Sequence, residues 1–255
     1  MEPTVPVAPS RFDNLDYDAF RALAGDPSLS RHEKVGFPDS YRQGKEEAIF
    51  RDVLVKLGAL QRHGARVIEI GPGCSQLPVM LAGRCAERGS QLIWVDSPEM
   101  LALLPDAPHV RKVTGRFPQA LQPQMHELAG AVDAIVAYSV VQYVFAEGNV
   151  FQFLDSCLGL LAHGGELLIG DVPNQTMRKR FFASPVGVAT HQRYTGRDEL
   201  PEVQFNRLEP GQMDDGVVLA LLARARAQGF HAWVLPQATD LPMANRREDI
   251  LIRRP

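Results

Sequence analysis

Apolar residues along this chain follow two alternating rhythms, short β-branched runs and longer stretches that repeat every three to four positions. The runs are Val67-Ile68-Glu69-Ile70, Leu92-Ile93-Trp94-Val95, a third near Val110, Val132 to Ala137, and Leu167-Leu168-Ile169. Between them, Gln76 to about Arg88 sets Leu77, Met80, Leu81 and Cys85 on one helical face, and a helix is also expected from Pro98. Phe151, Leu154, Leu158 and Leu161 do the same before His163-Gly164-Gly165. Asp214-Asp215, favourable against a helix dipole, opens a stretch that ends at Gly229 and leads into Ala232 to Leu235 and Ile250 to Ile252. Strands alternating with helices predict an α/β domain built on a mostly parallel sheet with helices on both faces.

The turn behind the first run carries the most chemistry. Gly71-Pro72-Gly73-Cys74-Ser75-Gln76 lets the backbone take positive φ and approach a ligand closely, and the helix behind it offers unpaired N–H groups. The second run ends in Asp96, spaced from Gly71 as an acid on a ribose hydroxyl would be. Gln76 occupies the position where a dinucleotide fingerprint wants a small residue beneath a pyrophosphate. Glu69, at the strand end two residues before Gly71, suits a cationic ligand better than a phosphate.

This pattern resembles motif I of class I S-adenosylmethionine-dependent methyltransferases, an acid and an apolar residue before GxGxG, with Ser75 at the third glycine position. The resemblance covers roughly Lys45 to Pro255, with the motifs in the family's order. Val95-Asp96-Ser97 looks like motif II. Val113 to Phe117 looks like the segment that approaches adenine, with Arg116 where the family often has Asp. Val132 to Val144 is similar to motif IV and its loop, and Gly164 to Asp171 to the glycine pair and fifth strand. The implied fold is Rossmann-like, a seven-stranded sheet closed by a C-terminal hairpin that inserts one antiparallel strand. The implied cofactor is S-adenosylmethionine. Its expected contacts are Glu69, Gly71, Gly73, Ser75, Asp96, Ser97, Gly115, Arg116, Phe117, Tyr138, Ser139 and Tyr143, with an aromatic face available to the sulfonium or adenine.

The N-terminal part is read as an extension or cap over residues 1–40, with a proline-rich, disordered lead to about residue 10. Tyr17, Phe20 and Leu23 predict a short helix over the cleft, ended by Gly25-Asp26-Pro27. Asp39-Ser40 reads as an N-cap for one amphipathic helix from Tyr41 to Leu60, with Ile49, Val53 and Leu57 on its buried face. Tyr41 and Arg42, at its start, are further candidates for the cofactor.

Residues 41–255 would form the methyltransferase domain, with residues 172–212 as a lid that selects the acceptor. Phe181, Phe182, His191, Arg193, Tyr194, Arg197, Asn206 and Arg207 suit a polar, anionic small molecule. Asp171 is the first candidate for a catalytic base and His191 the second. No Asn/Asp-Pro-Pro-Tyr string follows the fourth strand, and Gly170 to Asn174 is loosely similar to methyltransferases of sugar and polysaccharide biosynthesis. The resemblance thus implies methyl transfer to an O or N atom of a small polar acceptor, with a saccharide or sugar nucleotide as the nearest match. The rival classes are a catalytically silent binding module of the same fold and an NAD-linked oxidoreductase.

Composition narrows the partners. A formal charge of −3 gives no basic footprint for nucleic acid, and Arg178-Lys179-Arg180 reads as a solvated run. Cys74, Cys85 and Cys157 show no metal spacing and fit a reducing, cytoplasmic compartment. Neither an export signal nor a membrane span is visible. The oligomeric state is open, a homodimer included.

Overall fold

The computed structural model describes residues 15–255. Four helices precede the sheet: α1 (Tyr17–Gly25), α2 (Arg31–Lys34), α3 (Asp39–Arg42) and α4 (Glu46–Lys56). The first alternating units are β1 (Arg66–Ile70), α5 (Gln76–Glu87), β2 (Gln91–Asp96), α6 (Pro98–Ala102), β3 (Val110–Thr114) and α7 (Met125–Leu128). Then come β4 (Val132–Tyr138), α8 (Val141–Glu147), α9 (Val150–Leu160), β5 (Leu161–Pro173), α10 (Gln175–Phe182) and α11 (Pro185–Thr195). Helix α12 (Asp215–Ala227) leads to β6 (His231–Pro236) and β7 (Arg247–Arg253).

The seven strands form one sheet in the order β3-β2-β1-β4-β5-β7-β6. Strands β1 to β5 pair in parallel, and β7 runs antiparallel between β5 and β6. This is the Rossmann-like architecture, mostly parallel with one inserted antiparallel strand, that the resemblance implies. The strand order reverses between β1 and β4, and the crevice at their carboxyl ends is where an open α/β sheet receives a ligand.

Two apolar layers sandwich the sheet. On one face Ile68, Ile135, Leu167 and Ile250 pack with Leu154, Leu158 and Leu221 from α9 and α12. On the other Val67, Trp94, Val136 and Leu168 pack with Ile49, Val53, Leu57, Leu81 and Cys85 from the α4 and α5 side. All three cysteines are buried and unpaired, so Cys85 is a packing residue as its position on the helical face implied.

Three local expectations need correction. The stretch 41–60 is not one helix: Gly44 takes φ +73° between α3 and α4, and Gly58 begins a separate short 3-10 turn. The apolar periodicity was real, but glycines on either side of it end the hydrogen-bond ladder. Nor does Asp39-Ser40 cap that stretch, since α3 begins at Asp39 behind Pro38 without a side-chain cap. On α9, Phe151 turns outward beneath the Arg224 guanidinium, 5.5 Å from its ring centre, while Phe153, Leu154, Cys157 and Leu158 take the buried face. The proline-rich lead and Phe12 lie outside the described residues.

Leu154 is fully buried between α9 and the sheet. Leu154→Ala is therefore expected to lower unfolding stability by about 2–5 kcal/mol, measured by urea denaturation.

Candidate functional site

A cavity of about 580 Å³ opens over the β1/β4 reversal. Its floor is the glycine turn. Gly71 and Gly73 both take positive φ, at +64° and +63°. A methyl group at Gly71 would lie 2.7 Å from Val140 Cγ2, and one at Gly73 would lie 2.6 Å from Val35 Cγ1, so only glycine fits either place. Ser75 occupies the N-cap position of α5 in extended backbone without a side-chain capping bond, and it lines the cavity.

Two carboxyl groups stand at the strand ends. Asp96 Oδ2 accepts from the Gly73 amide at 3.0 Å and Oδ1 from the Ser97 amide at 2.6 Å, which fastens the glycine turn to the end of β2. Glu69 is 2% exposed and accepts from the Trp94 indole N–H at 2.7 Å. Burial, which penalises the ionised form, pushes Glu69 up to about 8 against the opposing pull of the indole bond. Burial likewise raises Asp96 to about 6, outweighing its two backbone amides.

Aromatic and apolar side chains complete the wall. Tyr17 and Phe20 from α1, Val35 and Phe37 from the following segments, and Phe117, Tyr138 and Tyr143 from the sheet end all face the cavity. Phe20 meets Tyr143 edge to face at 4.8 Å. Arg116 pairs with Glu147 at 3.2 Å and lies 4.4 Å from the centre of the Tyr17 ring. His32 bridges the cap, with Nδ1 2.8 Å from Asp39 and Nε2 against Glu46, a cavity residue.

Beside this cavity lies a buried ion cluster. Asp171 accepts from Arg42 Nη2 and Arg247 Nη1, each at 2.8 Å, and from the Ser139 hydroxyl. Its backbone N–H donates to Asp249, which also accepts from Lys56 at 2.7 Å and Gln237 at 3.0 Å. Asp171 sits at a bulge in the β5 register with φ +58°, and its partner Ser139, at the end of β4, has φ +59°. Two non-glycine residues in this conformation cost on the order of 1–3 kcal/mol each, and the hydrogen bonds around them hold the backbone there.

The expected site residues therefore separate into groups. Glu69, Gly71, Gly73, Ser75, Asp96, Gly115, Arg116, Phe117, Tyr138, Ser139, Tyr143 and Arg42 share the one cavity. Ser97 does not line it, because its hydroxyl accepts from the Met100 amide to cap α6. Tyr41 points away, toward Tyr194 and Arg246. Asp171 stands behind Arg42 and Ser139, 3% exposed, with its Oδ2 taken up by two guanidiniums and a hydroxyl. His191 belongs to a separate hollow with Arg178, Lys179 and Phe182. The two candidate bases thus do not meet across one cavity. Sequence reasoning missed Phe37, Glu46 and Glu147 in the wall, and Arg247 and Lys56 in the ion cluster, since none sits in a motif.

Neither a family model nor a curated protein matches the chain. Its fold is similar to that of solved methyltransferases. The plantazolicin methyltransferase BpumL in complex with SAH superposes with a TM-score of 0.55 at 11% identity, over 93% of this chain and 96% of that one. The CurJ carbon methyltransferase gives 0.53 at 16% identity over 84% of this chain, which spans 56% of the CurJ chain. The complex between the Haloferax volcanii Trm112 methyltransferase activator and the putative methyltransferase gives 0.50 at 12% identity, covering 92% and 96%. At these identities the likeness shows the fold alone. Among the described residues no helix is long and apolar enough to cross a membrane, and no cluster of three acid, histidine or cysteine side chains could hold a metal ion.

The raised Glu69 and Asp96 values have a consequence for stability. The folded chain holds these protons more tightly than the unfolded chain, so their contribution is full below about pH 4 and is lost as pH rises through about 6 and then about 8. Glu69→Gln should abolish the upper part of this loss, measured by urea midpoints at a series of pH values.

Proposed function

We propose that this protein is an S-adenosylmethionine-dependent methyltransferase acting on an O or N atom of a small polar acceptor. The observation that carries the reading is the pairing, in one cavity at the strand reversal, of a tight double-glycine turn with two buried carboxyl groups and aromatic walls. A pyrophosphate would bring negative charge onto Glu69 and Asp96, whereas a sulfonium and an α-ammonium would stabilise their ionised forms. The SAH-bound state of BpumL on the same fold supports this choice of cofactor.

In this reading Asp96 receives the ribose hydroxyls and Glu69 the α-ammonium. Arg42 takes the methionine carboxylate. Its Nε is buried without a hydrogen-bond partner among the described residues, a state that costs about 1–3 kcal/mol and that an incoming carboxylate relieves. Phe117, Gly115 and Arg116 border the adenine, and Tyr138 and Tyr143 offer ring faces near the sulfonium. When bound, S-adenosylmethionine supplies an activated methyl carbon and leaves as a thioether. The chain's own part is alignment, which contributes roughly 7–11 kcal/mol when donor and acceptor are held in line.

Asp171, expected as a base from its position in the sequence, is assigned instead to holding Arg42 and Ser139 in place. The cap formed by α1 to α3 shields the cavity, and the segment 172–212 with His191 is assigned to the acceptor. A saccharide in particular gains no support from the structurally similar methyltransferases.

Calorimetric titration with S-adenosylmethionine, S-adenosylhomocysteine and NAD tests the cofactor. The two methionine-derived ligands are expected to bind, and binding of NAD alone would overturn the assignment. Asp96→Ala should weaken cofactor binding by ~1–3 kcal/mol through loss of a charge-assisted hydrogen bond. Incubation with methyl-labelled S-adenosylmethionine and a fractionated metabolite pool tests transfer, and cofactor binding without label in any fraction would mark a silent module. Asp171→Asn should cost about 1.5–3 kcal/mol of folding stability, read by thermal melting, because two buried guanidiniums lose their counter-charge.

A further inference from the structure

The lid side of the molecule carries an excess of guanidinium groups that the cofactor leaves unexplained. Arg247, bound through Nη1 to Asp171, lies 5.7 Å from the centre of the Phe37 ring, on which Arg42 also stacks at 4.2 Å. The next residue, Arg246, lies 5.8 Å from the Phe182 ring, which Arg178 also covers at 5.0 Å. Two aromatic rings, each flanked by a pair of arginines, thus lead outward from the cavity wall: Arg42 and Arg247 on Phe37, then Arg246 and Arg178 on Phe182.

The nearby acids all have other partners. Glu248 accepts from Asn174, Asp215 pairs with Arg180, Glu199 lies 3.9 Å from His191, Glu202 lies 3.6 Å from Arg207, and Glu209 lies 3.7 Å from Lys179 and 3.9 Å from Arg207. Neither Arg178 nor Arg246 has a carboxylate partner among the described residues. Half-buried Arg246 is held below the usual arginine range by burial and by its neighbours Arg178 and Arg247, although the phenols of Tyr41 and Tyr194 act in the opposite sense. Like charges set side by side in a partly desolvated place cost energy, and an oxyanion laid among them would offset that cost. Beside Phe182 lies a hollow of about 300 Å³, whose charged lining is Arg178, Lys179, His191 and Arg207 against the two carboxylates Glu202 and Glu209.

We propose that this hollow and its guanidinium flank are the acceptor subsite and that the acceptor carries an oxyanion, a carboxylate or a phosphate, next to an apolar or planar portion. The planar part lies against Phe182 and the oxyanion lies against Arg178 on the hollow's wall, with Arg246 adding its charge from the flank of the same ring and Arg247 marking the way to the cavity. The assignment of the ligand as a methyl acceptor rests on the methyltransferase reading, but the anion subsite itself does not.

The test is calorimetric titration of the protein, with and without saturating S-adenosylhomocysteine, using phenylacetate, phenyl phosphate and neutral benzyl alcohol as probes. At least one anion is expected to bind ten or more times more tightly than benzyl alcohol, and the one that binds names the oxyanion. The double variant Arg178→Gln/Arg246→Gln should lose that binding tenfold or more while its affinity for S-adenosylhomocysteine stays within twofold of the parent. Exposed Arg178, changed alone, carries the same test if the double variant fails to melt cooperatively. Absence of anion binding, equal binding of the neutral probe, or undiminished binding by the variants would overturn the subsite. Failure of S-adenosylhomocysteine to bind would overturn the cofactor reading instead, and the titrations of the unloaded protein would still decide the subsite.

Discussion

The contact on which the site depends is the ion cluster around Asp171 and Asp249, at the carboxyl end of β5 and the amino end of the antiparallel β7. It joins α3 through Arg42, α4 through Lys56, β4 through Ser139 and β7 through Arg247 and Asp249. A buried ion pair is weak evidence for net stability, because desolvation opposes the Coulomb attraction. Its value here is positional. Removing Asp171 would leave both Arg42 and Arg247 without the counter-charge they share, and the position of that carboxylate fixes the wall of the cavity that Arg42 and Ser139 form.

The same arrangement explains why the strands end as they do. Ser139 and Asp171 occupy left-handed backbone at the ends of neighbouring parallel strands and hydrogen-bond each other. A straight continuation of β5 would alternate Asp171 onto one sheet face, whereas the bulge turns its carboxylate toward Arg42 and Arg247. The apolar sheet supplies a rigid edge, and the polar cluster shapes what stands on that edge.

Much of this was legible in the chain. The β-branched runs before Gly71, Asp96 and Ser139, and the helical face of Leu77, Leu81 and Cys85, lie where periodicity put them, because burial against a sheet imposes those periods. The closing hairpin required the family likeness, since nothing in Ala232 to Leu235 or Ile250 to Ile252 alone says which strand is inserted. Illegible parts depended on distant partners. Phe37 and Arg247 are far apart in sequence and meet only in three dimensions. Asp171 looked like a free acid at a strand end, and only the packing of α3 and β7 shows its oxygens already taken. Gly44 and Gly58 were visible breaks, yet the strong repeat of Ile49, Val53 and Leu57 between them masked their meaning.

The bond between the Trp94 indole and Glu69 equips the chain with an internal optical reporter. The sequence contains only two tryptophans, and the second, Trp233, lies 41% exposed on the edge strand β6 while Trp94 is fully enclosed. Blue-shifted emission from the enclosed indole is separable from the red-shifted emission of the surface one. Because its N–H rests on the carboxyl group that the proposed function assigns to the cofactor's ammonium, the blue component would register occupancy of the crevice without any attached dye.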